Sequence, residues 1–213
     1  MAELNSELPP LLTTRGLCFG YADPAMFRDL DLSLRPGTAL VLCGSNGSGK
    51  STLLRLFARL LLPDDGQVEH ATEAATGDPV ALAWLGHSIG LKTGLSVIEN
   101  LRWSCGLHQR SRRMRPADAL ATVGLEGFAH VPTRELSAGQ RKRVALARLL
   151  LSPAPLWLLD EPYANLDPSG GQLVDRLIDH HLRSGGAAVL SVHRPDQAAF
   201  EGPRQLFDLD AAP

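Results

Sequence analysis

The chain has 213 residues, which at roughly 150 residues per domain is between one and two domains. With 44% hydrophobic and 21% charged residues it can bury a core without disulfides or a structural metal, and a disordered chain is excluded. Its net charge of −2 excludes a strong overall basic field toward nucleic acid or anionic lipid.

The amino-terminal stretch 1–10 carries acids and two prolines where a signal peptide needs basic and apolar residues, and reads as a flexible tail. From Leu11 to Leu42 the pattern is one of short strands. Asp31-Leu32-Ser33-Leu34 alternates, Arg35-Pro36-Gly37-Thr38 is a turn, and Ala39 to Cys43 is a continuous apolar run suited to a buried strand. A glycine-rich loop leads into a predicted helix from Ser51 to about Leu61, stopped by Pro63. Asp64-Asp65-Gly66 reads as a turn, and Gln67 to Pro79 as loop or weak strand with little to pack.

From Val97 to about Val123 the pattern is helical, interrupted by the basic segment Gln109 to Arg115, after which Pro116 opens the next helix. Leu136-Ser137-Ala138-Gly139 leads into a strong helix, Gln140 to Leu151, closed by Ser152-Pro153. A strand at Leu156–Leu159, a helix from about Ser169 to Leu182 and a strand at Ala187–Val192 complete the series. Buried strands alternating with helices indicate a parallel α/β sheet, with 92–135 as a helical insertion. A spanning helix needs about 20 consecutive apolar residues. The best run, Leu146 to Leu159, is broken by Arg148, Ser152, Pro153 and Pro155. Cys18, Cys43 and Cys105 are scattered without Cys-x-x-Cys, which excludes a disulfide framework or common zinc spacings and fits a reducing, cytosolic compartment.

Two motifs carry chemistry. Gly44-Ser45-Asn46-Gly47-Ser48-Gly49-Lys50-Ser51, followed by Thr52, fits the phosphate-binding pattern G-x-x-x-x-G-K-[ST] between a predicted strand and helix. Its backbone N–H groups can converge on phosphates, Lys50 can reach the β- and γ-phosphates, and Ser51 can bind Mg²⁺. Leu156 to Leu159 then ends in Asp160-Glu161. The carboxyl ends of parallel strands border the ligand crevice, so Asp160 is placed to hold Mg²⁺ and Glu161 to polarise the attacking water. Standing alone, such an acid pair would be a helix cap.

Leu136-Ser137-Ala138-Gly139-Gln140 resembles the signature loop of ATP-binding cassette (ABC) ATPases, with Ala138 in place of the first glycine. The resemblance continues in family order through Asp160-Glu161, Ala164-Asn165-Leu166-Asp167 as the D-loop, and Ser191-Val192-His193 as the switch histidine, over about residues 11–200. It implies a P-loop NTPase of the ABC type at 11–205, with an antiparallel β subdomain and the helical subdomain at about 92–135. The implied activity is Mg²⁺-dependent ATP hydrolysis, with Lys50, Glu161 and His193 catalytic. Two such chains would face each other head to tail, each signature loop touching the partner's nucleotide. Tyr21 is the candidate for stacking on adenine, with Phe19 second; packing within a strand is the competing reading of both.

At the strand end before the helical insertion most of the family carries a glutamine that touches Mg²⁺. Here Trp84-Leu85-Gly86-His87 places His87 there, as a metal-site candidate with strand capping as the plain alternative. The continuation Gly90-Leu91-Lys92-Thr93-Gly94-Leu95-Ser96 to Glu99-Asn100-Leu101 resembles the haem-exporter ATPase subunits of bacterial cytochrome c biogenesis. That resemblance implies integral membrane permease partners, haem or a haem–chaperone complex handled indirectly, no nucleic acid, and a peripheral place on the cytoplasmic face of the inner membrane.

Three rivals stand beside it. A drug or lipid exporter ATPase is disfavoured by His87 to Leu101. A soluble cassette ATPase of DNA repair or translation would need a coiled coil or second cassette that 213 residues are not expected to hold. A non-catalytic nucleotide-binding module is disfavoured by Glu161 and His193. The cluster Arg110, Arg112, Arg113 and Arg115 reads as a solvated helix end, since no aromatic residues interleave it.

Overall fold

Three apolar runs legible in the sequence become the middle of one sheet. A computed structural model of the chain describes residues 8–21, 25–74, 76–107 and 114–211. The strands are β1 (Leu12–Phe19), β2 (Phe27–Leu34), β3 (Ala39–Cys43), β4 (Asp65–His70), β5 (Leu82–Leu85), β6 (Leu156–Leu159), β7 (Ala187–Ser191) and β8 (Arg204–Asp208). The helices are α1 (Lys50–Phe57), α2 (Val97–Leu107), α3 (Pro116–Thr122), α4 (Ala138–Leu151) and α5 (Pro168–Arg183). A parallel sheet runs β5-β6-β7-β3-β8, and an antiparallel sheet runs β2-β1-β4.

β3, β6 and β7 are buried along their whole length because both faces of the parallel sheet are covered, which is why they read as unbroken apolar runs. Side chains alternate between two cores. Leu40, Leu42, Leu156, Leu158 and Val189 pack with Leu53, Leu56 and Phe57 of α1 and with Leu17 and Leu34 of the antiparallel sheet. Val41, Trp157, Leu159 and Leu190 pack with α2 to α5 through residues such as Leu101, Leu120, Leu146 and Leu177. The stretch 92–135 carries α2, α3 and two short 3₁₀ turns, as a helical insertion should.

Three elements differ from expectation. The helix expected to reach Leu61 ends at Phe57, because Arg59 takes a left-handed φ of 55° and the Leu60 N–H closes on the Arg55 carbonyl at 2.8 Å. Where a turn at Asp64-Asp65-Gly66 and a loop or weak strand from Gln67 were expected, Asp65–His70 is a full third strand of the antiparallel sheet, with Thr14 opposite Val68 and Leu12 opposite His70. Only Val68 in β4 is strongly apolar; backbone pairing to β1 supplies what side-chain packing does not. Gly66 has a φ of 74°, and a Cβ there would sit 2.2 Å from the Gly16 carbonyl oxygen, so the close strand approach requires glycine. β8 has no counterpart in the sequence reading. It is an exposed edge strand that pairs, among the described residues, with β3 alone, and the expected domain end at 205 falls inside it. Of the tail at 1–10, residues 1–7 lie outside the described residues, as do Arg110, Arg112 and Arg113. Arg115 pairs with Asp118 at 2.7 Å.

Candidate active site

β3 ends at Cys43 and the chain turns through Gly44 (φ 140°), Gly47 (φ 87°) and Gly49 (φ 99°) before α1 begins at Lys50. At Gly49 a Cβ would come within 2.5 Å of Met26 Sδ and 2.7 Å of Phe27 Cζ, so glycine is demanded twice, by φ and by space. No side chain caps α1, which leaves its first N–H groups directed toward an open cleft of about 500 Å³. That cleft is walled by Met26, Asn46, Gly47, Gly49, Lys50, Ser51, Thr52, Glu161 and His193. Lys50 is buried, its Nζ donating to the carbonyls of Gly44 at 2.6 Å and Ser45 at 2.8 Å.

The acid pair sits where β6 ends. Asp160 is 2% exposed, and its Oδ1 accepts hydroxyl hydrogen bonds from Ser51 at 3.0 Å and Ser191 at 2.8 Å. Glu161 has a φ of 47°, a left-handed conformation that costs a non-glycine residue about 1 kcal/mol or more. Two bonds hold it there. Its N–H donates to Ser191 Oγ at 2.8 Å, and its carbonyl accepts from the buried Lys142 Nζ at 2.8 Å. Glu161 Oε1 lies 3.4 Å from His193 Nε2, while the His193 N–H is held by Gln197 Oε1 at 2.9 Å. Burial pushes the Lys142 ammonium below its usual range, against the opposing charges of Asp160 and Glu161.

The sequence profile of the ABC transporter family matches residues 27–164. This chain belongs to the ABC transporter ATPase family. Among curated relatives, the cytochrome c biogenesis ATP-binding export protein CcmA of Xanthomonas oryzae pv. oryzae (strain MAFF 311018) is 52% identical over 217 residues, covering 100% of both chains. The protein of the same name from Xylella fastidiosa (strain Temecula1) is 44% identical, again over 100% of both. Among solved structures, an ABC transporter ATP-binding protein from Pyrococcus furiosus superposes with a TM-score of 0.78 at 25% identity, over 92% of this chain and 96% of that one. A dimeric ATP-binding cassette in a post-hydrolysis state with ADP and Pi gives 0.75 at 24% identity, over 88% and 90%.

The ABC ATPase hydrolyses ATP, and its remaining motifs fall as follows. Leu136 is buried while Ser137 and Ala138 are exposed at the start of α4. Ser137 and Gln140 form a reciprocal capping box at 3.1 and 2.9 Å, so the expected helix starts two residues earlier, at Ala138. A Cβ on Gly139 would meet the Asn165 carbonyl at 2.9 Å, whereas the methyl of Ala138 faces a cleft; this is why alanine fits the first position and would crowd the second. Asp167 caps α5 through the Gly170 N–H at 2.9 Å and pairs with Arg143 at 3.2 Å. The Ser169 hydroxyl, then that N–H, hold its carboxyl below the usual range.

His87 is exposed on the wall of a second, smaller cleft with Ala138, Lys142, Asp160 and Glu161. Phe19 is 7% exposed within the core, which removes it as the adenine platform. Tyr21 is 66% exposed, with Phe19 edge-on at 5.1 Å, and it stands outside the residues walling the phosphate cleft. The sequence reading assigned no role to Lys142, to the Ser191 hydroxyl or to Met26. Lys142 had a signal: it stands four and seven residues before Leu146 and Leu149, on the buried stripe of α4.

Gly49→Ala should weaken ATP binding at least about tenfold, because a left-handed φ and a sub-van-der-Waals contact both oppose it. Equilibrium titration with ATP checks this, and wild-type affinity would show that the loop does not hold the phosphates in this shape.

Proposed function

We propose that this chain is the ATP-hydrolysing subunit of a membrane export system in cytochrome c biogenesis, with haem or a haem–chaperone complex handled indirectly through integral permease subunits. The observation that carries the assignment is 52% identity across 100% of both chains with a protein named for that process. Among the described residues no helix is long and apolar enough to cross a membrane. Peripheral attachment at the cytoplasmic face of the inner membrane, through those permease subunits, is part of the proposal.

The nucleotide's phosphates lie on Gly44 to Ser51 and Thr52, against the free N–H groups of α1 and the Lys50 ammonium. Glu161 takes the proton of the attacking water. As the water oxygen bonds to the γ-phosphorus, the bond to the β–γ bridging oxygen breaks and ADP leaves with that electron pair. His193 donates from Nε2 to a γ-phosphate oxygen, and its 3.4 Å approach to Glu161 Oε1 keeps donor and base on the same reacting group. Tyr21, exposed just past the end of β1 in the antiparallel sheet, is the aromatic offered to adenine.

Mg²⁺ fits the residues present. Ser51 Oγ and Asp160 Oδ1 place two hard oxygen donors 3.0 Å apart at the junction of loop and strand, as an ion bound by few protein ligands and the phosphates requires. His87, on the wall of the adjoining cleft, completes the proposed set. When bound, the ion supplies charge neutralisation on the phosphate oxygens.

Head-to-tail dimerisation is part of the proposal, and the placing of the motifs is compatible with it. Ala138 of the signature loop and the phosphate loop line different clefts of one chain, and Glu161 lines both. A second copy turned end to end brings the Ser137 hydroxyl and the Ala138 and Gly139 N–H groups at the start of α4 to the γ-phosphate. The related cassette solved with ADP and Pi is dimeric, which supports this reading.

Glu161→Gln should keep ATP binding and slow hydrolysis by roughly two to four orders of magnitude, the usual worth of a general base. Steady-state turnover within a few-fold of wild type would remove Glu161 from that role. Affinity purification from native membranes should retain integral permease subunits; recovery of soluble partners alone would contradict the export assignment.

A further inference from the structure

The stretch following β8 returns to the phosphate loop. Asp210 Oδ2 accepts the Ser45 N–H at 2.7 Å, and its Oδ1 accepts the Ser45 hydroxyl at 2.9 Å. The carboxylate is itself anchored: the Asp210 N–H donates to Asp208 Oδ1 at 3.0 Å, and the Leu209 N–H to the Cys43 carbonyl at 3.0 Å. Nothing in the sequence pattern marks this residue, which lies 165 positions from its partner.

An anion placed on a loop meant for a triphosphate is electrostatically unfavourable unless it does structural service. The loop entrance shows what that service is. From the cleft side, Lys50 Nζ grips the carbonyls of Gly44 and Ser45 at 2.6 and 2.8 Å. From the other side, in a depression that adjoins the cleft through Asn46 and His193 and also takes in Pro195 and Asp208, Asp210 grips the N–H and hydroxyl of Ser45. The two grips respond differently to ATP. Phosphates entering the cleft compete for the Lys50 donors and draw the ammonium off the carbonyls, whereas Asp210 stands outside the residues walling that cleft.

We propose that Asp210 is a positioning residue for ATP binding, holding the entrance of the phosphate loop in its binding shape when Lys50 transfers its hydrogen bonds to the phosphates. This rests on the reading that Gly44 to Ser51 holds the nucleotide. Without Asp210 the loop must be ordered at the expense of ATP affinity, since a charge-assisted pair of hydrogen bonds no longer pre-forms it. Once ATP is seated, Glu161 and His193 are where they were, so turnover at saturation is unaffected.

The test measures the ATP dissociation constant of the full chain by calorimetry, with kcat and KM from steady-state hydrolysis. Asp210→Ala should weaken ATP binding and raise KM about tenfold while kcat stays within about twofold. Asp210→Asn can still accept the Ser45 N–H through Oδ1 and donate from Nδ2 to Ser45 Oγ, so it should restore binding to within about threefold of wild type. Ser45→Ala, which leaves β8 and its following turn untouched, removes one of the two bonds and should fall between, even if Asp210→Ala fails to fold. Tighter ATP binding in both Asp210 variants would identify a repulsive charge and overturn the proposal. Wild-type affinity in Asp210→Ala, or in Ser45→Ala if that variant alone can be prepared, would overturn it as well. Lys50→Ala separates the two levels. If it loses ATP binding while Asp210→Ala does not, the bracing role fails and the loop assignment stands; if it binds ATP as wild type does, the loop assignment itself falls.

Discussion

The Asp160 carboxylate, 2% exposed at the carboxyl end of β6, accepts hydroxyls from Ser51 at the start of α1 and from Ser191 at the end of β7, so three elements meet at one acceptor. A buried carboxylate is tolerated only when its oxygens are supplied with donors, and both donors here come from the sites whose position matters most. Ser191 turns the same hydroxyl oxygen toward the Glu161 N–H, which ties the strained Glu161 backbone to the neighbouring strand. The loop from Gly44 to Ser51, the Glu161 backbone and the strand leading to His193 are thereby registered against one another by a single buried group.

α4 extends that registration to the outer face of the molecule. Its first turn presents Ser137 and Ala138 to solvent, and Gly139 lies close against the Asn165 carbonyl. One turn further on, Lys142 reaches the Glu161 carbonyl and Arg143 reaches Asp167. The buried Lys142 ammonium thus joins this helix directly to the Glu161 backbone. On the proposed reading, the surface that greets a neighbouring nucleotide is joined by one helix to the base that acts on its own.

How much of this was legible in the sequence follows from which forces shaped each part. β3, β6 and β7 were readable because burial on both faces makes them apolar throughout, and the phosphate loop because its glycines are dictated by φ and space. α4 was legible from its apolar pattern, but the reading began it at Gln140, two residues late, because the Ser137–Gln140 capping box that sets its start at Ala138 went unread. β8 escaped, and β4 read as no more than loop or weak strand, because their residues are mostly polar and backbone pairing to one neighbour holds them. Contacts between distant segments were equally silent. Ser191 beside Asp160 and Asp210 on Ser45 depend on which strands become neighbours, and that order is decided by the whole sheet.

The central claim is that each chain carries two halves of different catalytic sites, and mixing two disabled chains tests it most directly. Ser137→Arg spoils the half offered to a partner and Lys50→Ala spoils the chain's own half, so each homodimer should be inactive. In a random mixture half of the dimers hold one intact composite site, and activity should return to about a quarter of wild type for independent sites. No recovery, with heterodimers demonstrably formed, would contradict the head-to-tail arrangement.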